Sequence, residues 1–186
     1  MRTWLVLGCA TVGLLSGCGV MRVDNQVDSH TKWGLTAPLT GNVSYRFERT
    51  PSQEVVPYPL QLQADLEQAV ATTLASAGWR LNPDAAQWRV SVTASHTALP
   101  RAPWEVTNTR RSMALGAFME QPYHLRSVSV VVRDNTRGEV AYETQARHDG
   151  RWNNSPIIWQ AMVQAALAEF PKPPAGPRVI NVDIPR

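Results

Sequence analysis

Two segments of alternating hydrophobicity flank one segment of helical periodicity, and this order limits the possible folds more than any other feature of the chain. GNVSYRFERT, residues 41–50, and AQWRVSVTASH, residues 86–96, alternate apolar and polar residues, which predicts two half-buried strands. Between them, LQLQADLEQAVATTLASAG has apolar residues at helical spacing and ends in Gly78, as an amphipathic helix does. A strand, a helix and a strand in this order predict two parallel strands joined by a right-handed crossover.

The remaining sequence predicts three more strands and a second helix. HLRSVSVVVRD and EVAYETQAR alternate on either side of NTRG, residues 135–138, which is typical of a hairpin. Ser155 and Pro156 open a second helix that Pro171 stops, and RVINVDIP at residues 178–185 predicts a closing strand. We therefore expect an α/β (α+β) two-layer sandwich, a mixed sheet of about five strands with two helices on one face.

The N-terminal residues have the pattern of an export signal. Arg2 precedes an apolar run of residues 4–15, and small residues follow at Ser16 and Gly17. The run is too short for a transmembrane helix, which needs about 20 apolar residues. Leu15-Ser16-Gly17-Cys18 resembles a bacterial lipobox, which predicts cleavage after residue 17 and lipidation of Cys18. The alternative is an ordinary secretory signal whose cleavage site includes a cysteine.

The cysteines agree with a lipid anchor. The chain has two, Cys9 in the predicted signal and Cys18 at the predicted cut, so the mature domain would form no disulfide and would depend on its core for stability. Fatty acyl chains such as palmitate on Cys18 would hold the protein at a lipid bilayer. Gly19, in place of an aspartate, favours sorting to the outer membrane. We expect a lipid-anchored outer-membrane protein on the periplasmic face of the cell envelope.

The mature chain of 169 of the 186 residues suits one domain. Residues 18–39 are rich in polar residues with glycine and proline, which predicts a lipid anchor and flexible tether; residues 40–186 would form a single globular domain. Without Arg2, 17 basic residues face 15 acidic ones. The arginines are scattered and lysine is scarce, so we expect no nucleic-acid partner.

One stretch within the domain, residues 99–124, is too long for a simple connection. Its aromatic residues and arginines are of the kind that protein interfaces favour, and they make Trp104, Arg110, Arg111 and Tyr123 the candidate partner-binding residues. The alternative is that SMALGAFM, residues 112–119, forms a short helix packed on the open face of the sheet.

The sequence offers no catalytic or metal-binding motif. The four histidines, residues 30, 96, 124 and 148, lie far apart in the chain, and no phosphate-binding loop or nucleophile elbow is present. We expect no metal and no cofactor, and a function other than catalysis.

Several segments together resemble proteobacterial lipoproteins built on a domain of unknown function. They are the lipobox, GNVSYRFERTPSQ, LASAGWRL, WRVSVTAS, SVSVVVRDNTRGEVAYETQARHDG and QAALAEFPKPPAGPR. The resemblance implies the same fold and no particular reaction. In that family the stretch between the second and third strands is often rich in glycine and tyrosine, whereas here it carries arginines.

These observations predict a membrane-anchored periplasmic interaction module that contacts an envelope protein or peptidoglycan through residues 99–124. The alternative is a small-ligand binder or hydrolase with a cleft between that stretch and the sheet. A deep pocket with converging ionisable groups would favour the alternative, and a flat surface would argue against it.

Overall fold

The structure is a computed structural model that describes residues 20–31, 43–49, 60–99, 122–151 and 156–185. These residues form seven strands and two helices. The strands are β1 (Val20–Thr31), β2 (Val43–Phe47), β3 (Trp79–Leu81), β4 (Trp88–Leu99), β5 (Tyr123–Asp134), β6 (Val140–Gly150) and β7 (Arg178–Pro185). The helices are α1 (Leu60–Ser76) and α2 (Pro156–Leu167).

All seven strands belong to one mixed sheet in the order β3-β2-β4-β5-β6-β1-β7. Strand β2 runs parallel to β3 and β4, so the predicted parallel pair on either side of α1 is confirmed. The pairs β4–β5, β5–β6, β6–β1 and β1–β7 are antiparallel. The long central strands β4 and β5 pair in register over their full lengths of 12 residues.

The core lies between the two helices and one face of the sheet. Alternate residues of each strand point to the same face, and those that contribute to the core include Val90 and Val92 of β4 and Val128, Val130 and Val132 of β5. From α1 the core receives the predicted stripe, of which Leu66, Val70 and Leu74 are at most 2 % exposed. The helices also contact each other, so they form one layer on this face.

Local sequence signals explain where α1 and the β5–β6 hairpin end. Gly78 has φ of 85°, the left-handed conformation that glycine adopts without a steric penalty at a helix C-terminus. In the hairpin, Gly138 has φ of 72°, and the Asp134 carboxylate accepts hydrogen bonds from the backbone N–H groups of Thr136 and Arg137 at 2.7 and 2.8 Å. Both features agree with the sequence prediction.

The sheet has seven strands rather than about five, and the main correction concerns the predicted tether. Residues 20–31 of the predicted tether 18–39 form β1, which lies between β6 and β7 inside the sheet. The second unpredicted strand, β3, has three residues, too few to show alternation. The rest of the predicted tether lies outside the described residues.

Two buried polar side chains explain why β1 does not look like a strand in sequence. Its core-facing positions include Asn25 and Ser29, which are 0 % and 3 % exposed. The Asn25 amide donates to the carbonyl oxygen of Val23 at 3.0 Å, and the Ser29 hydroxyl lies 2.7 Å from that of Thr144 on β6. Hydrogen bonding lowers the cost of burying these groups, so β1 can present polar residues on both faces.

Candidate functional site

The face of the sheet opposite the helices is polar. Strand alternation places on it Arg89, Ser91 and Thr93 of β4 together with Arg46 and Glu48. Arg89 donates to the Glu48 carboxylate at 2.7 Å. The same face continues across β5, β6 and β1 with Ser127, Ser129, Glu143, Gln145, Arg147, Gln26 and Asp28.

A depression of about 310 Å³ lies on this polar face. The residues around it come from β1, β4, β5 and β6, and they are Gln26, Ser95, Thr97, Leu125, Arg126, Ser127, Arg147, His148 and Asp149. The size is at the lower end of the range for small-molecule sites. The depression lies beside Leu99 and Tyr123, the paired residues at which the long connection leaves β4 and enters β5.

Side-chain hydrogen bonds link neighbouring residues around the depression. The hydroxyl groups of Ser95 and Ser127 bond each other at 2.8 Å, instead of a histidine or carboxylate that could act as a base. The guanidinium of Arg147 donates to the Gln145 side-chain oxygen at 2.7 and 3.0 Å. Arginine keeps its proton in proteins, so this side chain can attract an anion but cannot transfer a proton.

Two histidines that lie 28 residues apart in sequence meet on the other face of the sheet. His96 near the end of β4 and His124 at the start of β5 place Nε2 and Nδ1 at 2.8 Å, and their rings stack with centroids 5.0 Å apart. Arg126 lies next to them and is 3 % exposed. Sequence spacing gave no sign of this pair, because the strand register decides which residues meet.

The surroundings favour the neutral form of both imidazoles. Burial lowers the pKa of His96 and of His124, and the positive charge of Arg126 lowers it further. His96 adds to the effect on the pKa of His124. One neutral ring donates the shared hydrogen bond and the other accepts it. Within the described ranges, no three His, Cys, Asp or Glu side chains are grouped to hold a metal ion.

Most of the predicted site residues lie outside the described part of the chain. These are Cys18, Trp104, Arg110 and Arg111. Tyr123, the other predicted partner-binding residue, begins β5 with 3 % of its surface exposed, and its hydroxyl donates to the Asp149 carboxylate. This burial leaves Tyr123 little surface for a partner, and the role of the other three residues stays a prediction.

Neither described helix is long and apolar enough to span a bilayer.

Comparison with known proteins yields similarity of fold alone. No family model matches the sequence, and no curated protein matches it. Among solved structures, a PDZ domain protein from Parabacteroides distasonis is similar with a TM-score of 0.57 at 10% identity, over 88% of this chain. This chain spans 39% of the length of that protein. The PelC dodecamer from Paraburkholderia phytofirmans has a TM-score of 0.45 at 13% identity, over 77% of this chain and 96% of its own.

Proposed function

We propose that the protein is an outer-membrane lipoprotein, anchored through acylated Cys18 on the periplasmic side, that serves as a non-enzymatic interaction module of the cell envelope. The anchor rests on the lipobox Leu15 to Cys18. The resemblance to proteobacterial lipoproteins built on a domain of unknown function supports the same assignment. The partner would be an envelope protein or peptidoglycan.

The connection between β4 and β5 is the observation that carries the interaction role. Leu99 and Tyr123 are neighbours across the two strands, so a two-residue turn would suffice to join β4 to β5. The chain instead uses residues 100–122, with Trp104, Arg110 and Arg111 among them. Connections of this length in compact domains are usually functional or disordered, and tryptophan and arginine dominate the binding energy of interfaces.

The test replaces Trp104, Arg110 and Arg111 together with alanine and measures recovery of the partner after crosslinking in living cells. Removing hot-spot residues costs at least about 2 kcal/mol, so we expect recovery to fall about 30-fold or more. The matched control replaces Arg46 and Arg80, which are exposed elsewhere on the domain, and should retain the partner. Unchanged recovery with the triple variant would contradict the proposal.

The depression beside Arg147 and Asp149 favours a second candidate, a binder of small polar ligands or a hydrolase with a cleft between residues 99–124 and the sheet. The mutual hydrogen bond of Ser95 and Ser127 supports binding over hydrolysis. Saturable binding of a small anion that is lost on Arg147→Gln, with partner recovery unaffected by the triple variant, would favour this candidate over the interaction module.

A further inference from the structure

Strand β1 begins next to the residue that the proposed function acylates. Val20 opens the strand, and only Gly19 separates it from Cys18. An extended chain advances at most about 3.6 Å per residue, so two residues of chain span at most about 7 Å. Because residues 20–31 belong to the sheet, no long tether separates an acylated Cys18 from the folded domain.

Strand register shows which other parts of the sheet lie at this end. Val20 pairs with Pro185, the last residue of β7, and Gln26 of β1 pairs with Arg147 near the end of β6. Gly150, which closes β6, lies opposite His124 at the start of β5. We call this the anchor end of the sheet. It also includes Leu99 and Tyr123, where residues 100–122 join the domain.

The other end of the sheet is far from the anchor. Strand β5 has 12 residues at about 3.3 Å each, which places the β5–β6 turn about 40 Å from the anchor end. We call this turn, residues 135–138, the hairpin end. The separation between the anchor end and the hairpin end is much larger than the screening length of about 8 Å at physiological ionic strength.

Exposed side chains of both charges lie on the polar face toward the anchor end. Arg22 on β1 has 62% of its side-chain surface exposed and forms an ion pair with Asp24, which is 67% exposed, and Arg147 and Asp149 are both exposed nearby. Farther along the polar face, Asp28 is 49% exposed and Glu143 is exposed. Lipid phosphates repel the carboxylates of Asp28 and Glu143, which opposes a domain lying flat on its polar face.

We propose that the domain stands on the membrane with its anchor end against the phospholipid headgroups and its hairpin end directed away from them. This inference rests on the proposed acylation of Cys18. The upright arrangement places the depression and the two ends of the 100–122 connection at the membrane surface. The interaction module would therefore bind its partner there.

The test uses three exposed threonines as label positions: Thr97 near the anchor end, Thr93 four residues earlier on the same face of β4, and Thr136 at the hairpin end. Each is replaced singly by cysteine in the full chain. The mature protein offers no competing thiol, since Cys9 is removed and Cys18 is acylated. The labelled lipoproteins are reconstituted into phosphatidylethanolamine and phosphatidylglycerol vesicles that carry a headgroup-attached quencher.

We expect loss of most of the label fluorescence at residue 97, a smaller loss at residue 93 and little loss at residue 136. Equal loss at the three positions, or the reverse order, would overturn the upright arrangement. A separate readout tests the anchor itself: Cys18→Ala should release the protein from the membrane fraction. If the Cys18→Ala variant remains in the membrane fraction, the proposed anchor is contradicted. If that variant is released but the three labels are quenched equally, only the proposed orientation is contradicted.

Discussion

At the scale of single residues, the His96–His124 pair is the most unusual feature of the described chain. Two imidazoles in hydrogen-bond contact lie beside Arg126, which is almost completely buried. Burial and this positive charge both disfavour an imidazolium. Protonation of either ring would add a second positive charge beside Arg126, and protonation of the accepting ring at the shared nitrogen would also remove the acceptor of their hydrogen bond.

We therefore predict that acidification destabilises the fold through this pair. Folding lowers both pKa values below the ordinary 6.5, so the unfolded chain binds more protons just below that pH. The contribution to stability is complete above about pH 6.5 and decreases as the pH falls toward the lowered values. Urea unfolding at pH 7.5 and 5.5 should show a smaller loss of unfolding free energy in the His96→Gln/His124→Gln double variant than in the wild type.

His30→Gln is the matched control, because the His30 side chain is 72% exposed and lies on the polar face. Its pH dependence should follow that of the wild type. A double variant that loses as much stability on acidification as the wild type would contradict the role of the pair.

At the scale of secondary-structure elements, β1 decides whether the N-terminal region is a tether or part of the fold. Val27 is completely buried, and it pairs with Ala146 on β6 and Arg178 on β7. Its neighbour Gln26 is exposed on the opposite face. A tether would tolerate changes at both positions, whereas a strand in the sheet tolerates only the second.

We predict that Val27→Ala lowers the free energy of unfolding by about 1.5–3 kcal/mol, the cost of removing two buried methyl groups and leaving a cavity. Gln26→Ala should change it by no more than about 0.5 kcal/mol, as surface substitutions usually do. Chemical denaturation of the two variants measures both values. Equal stability of the two would mean that β1 does not belong to the cooperative fold.

Elements with regular patterns and clear end signals were predictable from the sequence. Helix α1 combines an apolar stripe with Gly78, and the β5–β6 hairpin combines alternation with Gly138. Strand β1 was missed because a single sequence does not show that Asn25 and Ser29 find partners after folding. The His96–His124 pair was not predictable for the same reason. The register of β4 and β5, which brings these two residues together, is decided by tertiary pairing.

At the scale of the whole molecule, the sheet connects the proposed anchor to the proposed interaction segment. The start of β1 and the ends of the 100–122 connection lie at the same end of one continuous sheet. A lipid on Cys18 would therefore fix the position of that segment relative to the bilayer. The envelope partner would then have to be accessible close to the membrane surface.

Photocrosslinking in living cells tests the central claim most directly. A photoreactive residue replaces Trp104, and the same residue at Thr136 of the hairpin end serves as the control. The account predicts a recurrent protein or peptidoglycan adduct at residue 104 that is absent at residue 136. A folded, membrane-bound protein that forms no such adduct at residue 104, or forms adducts with lipid alone, would contradict the claim that this segment is an interaction module.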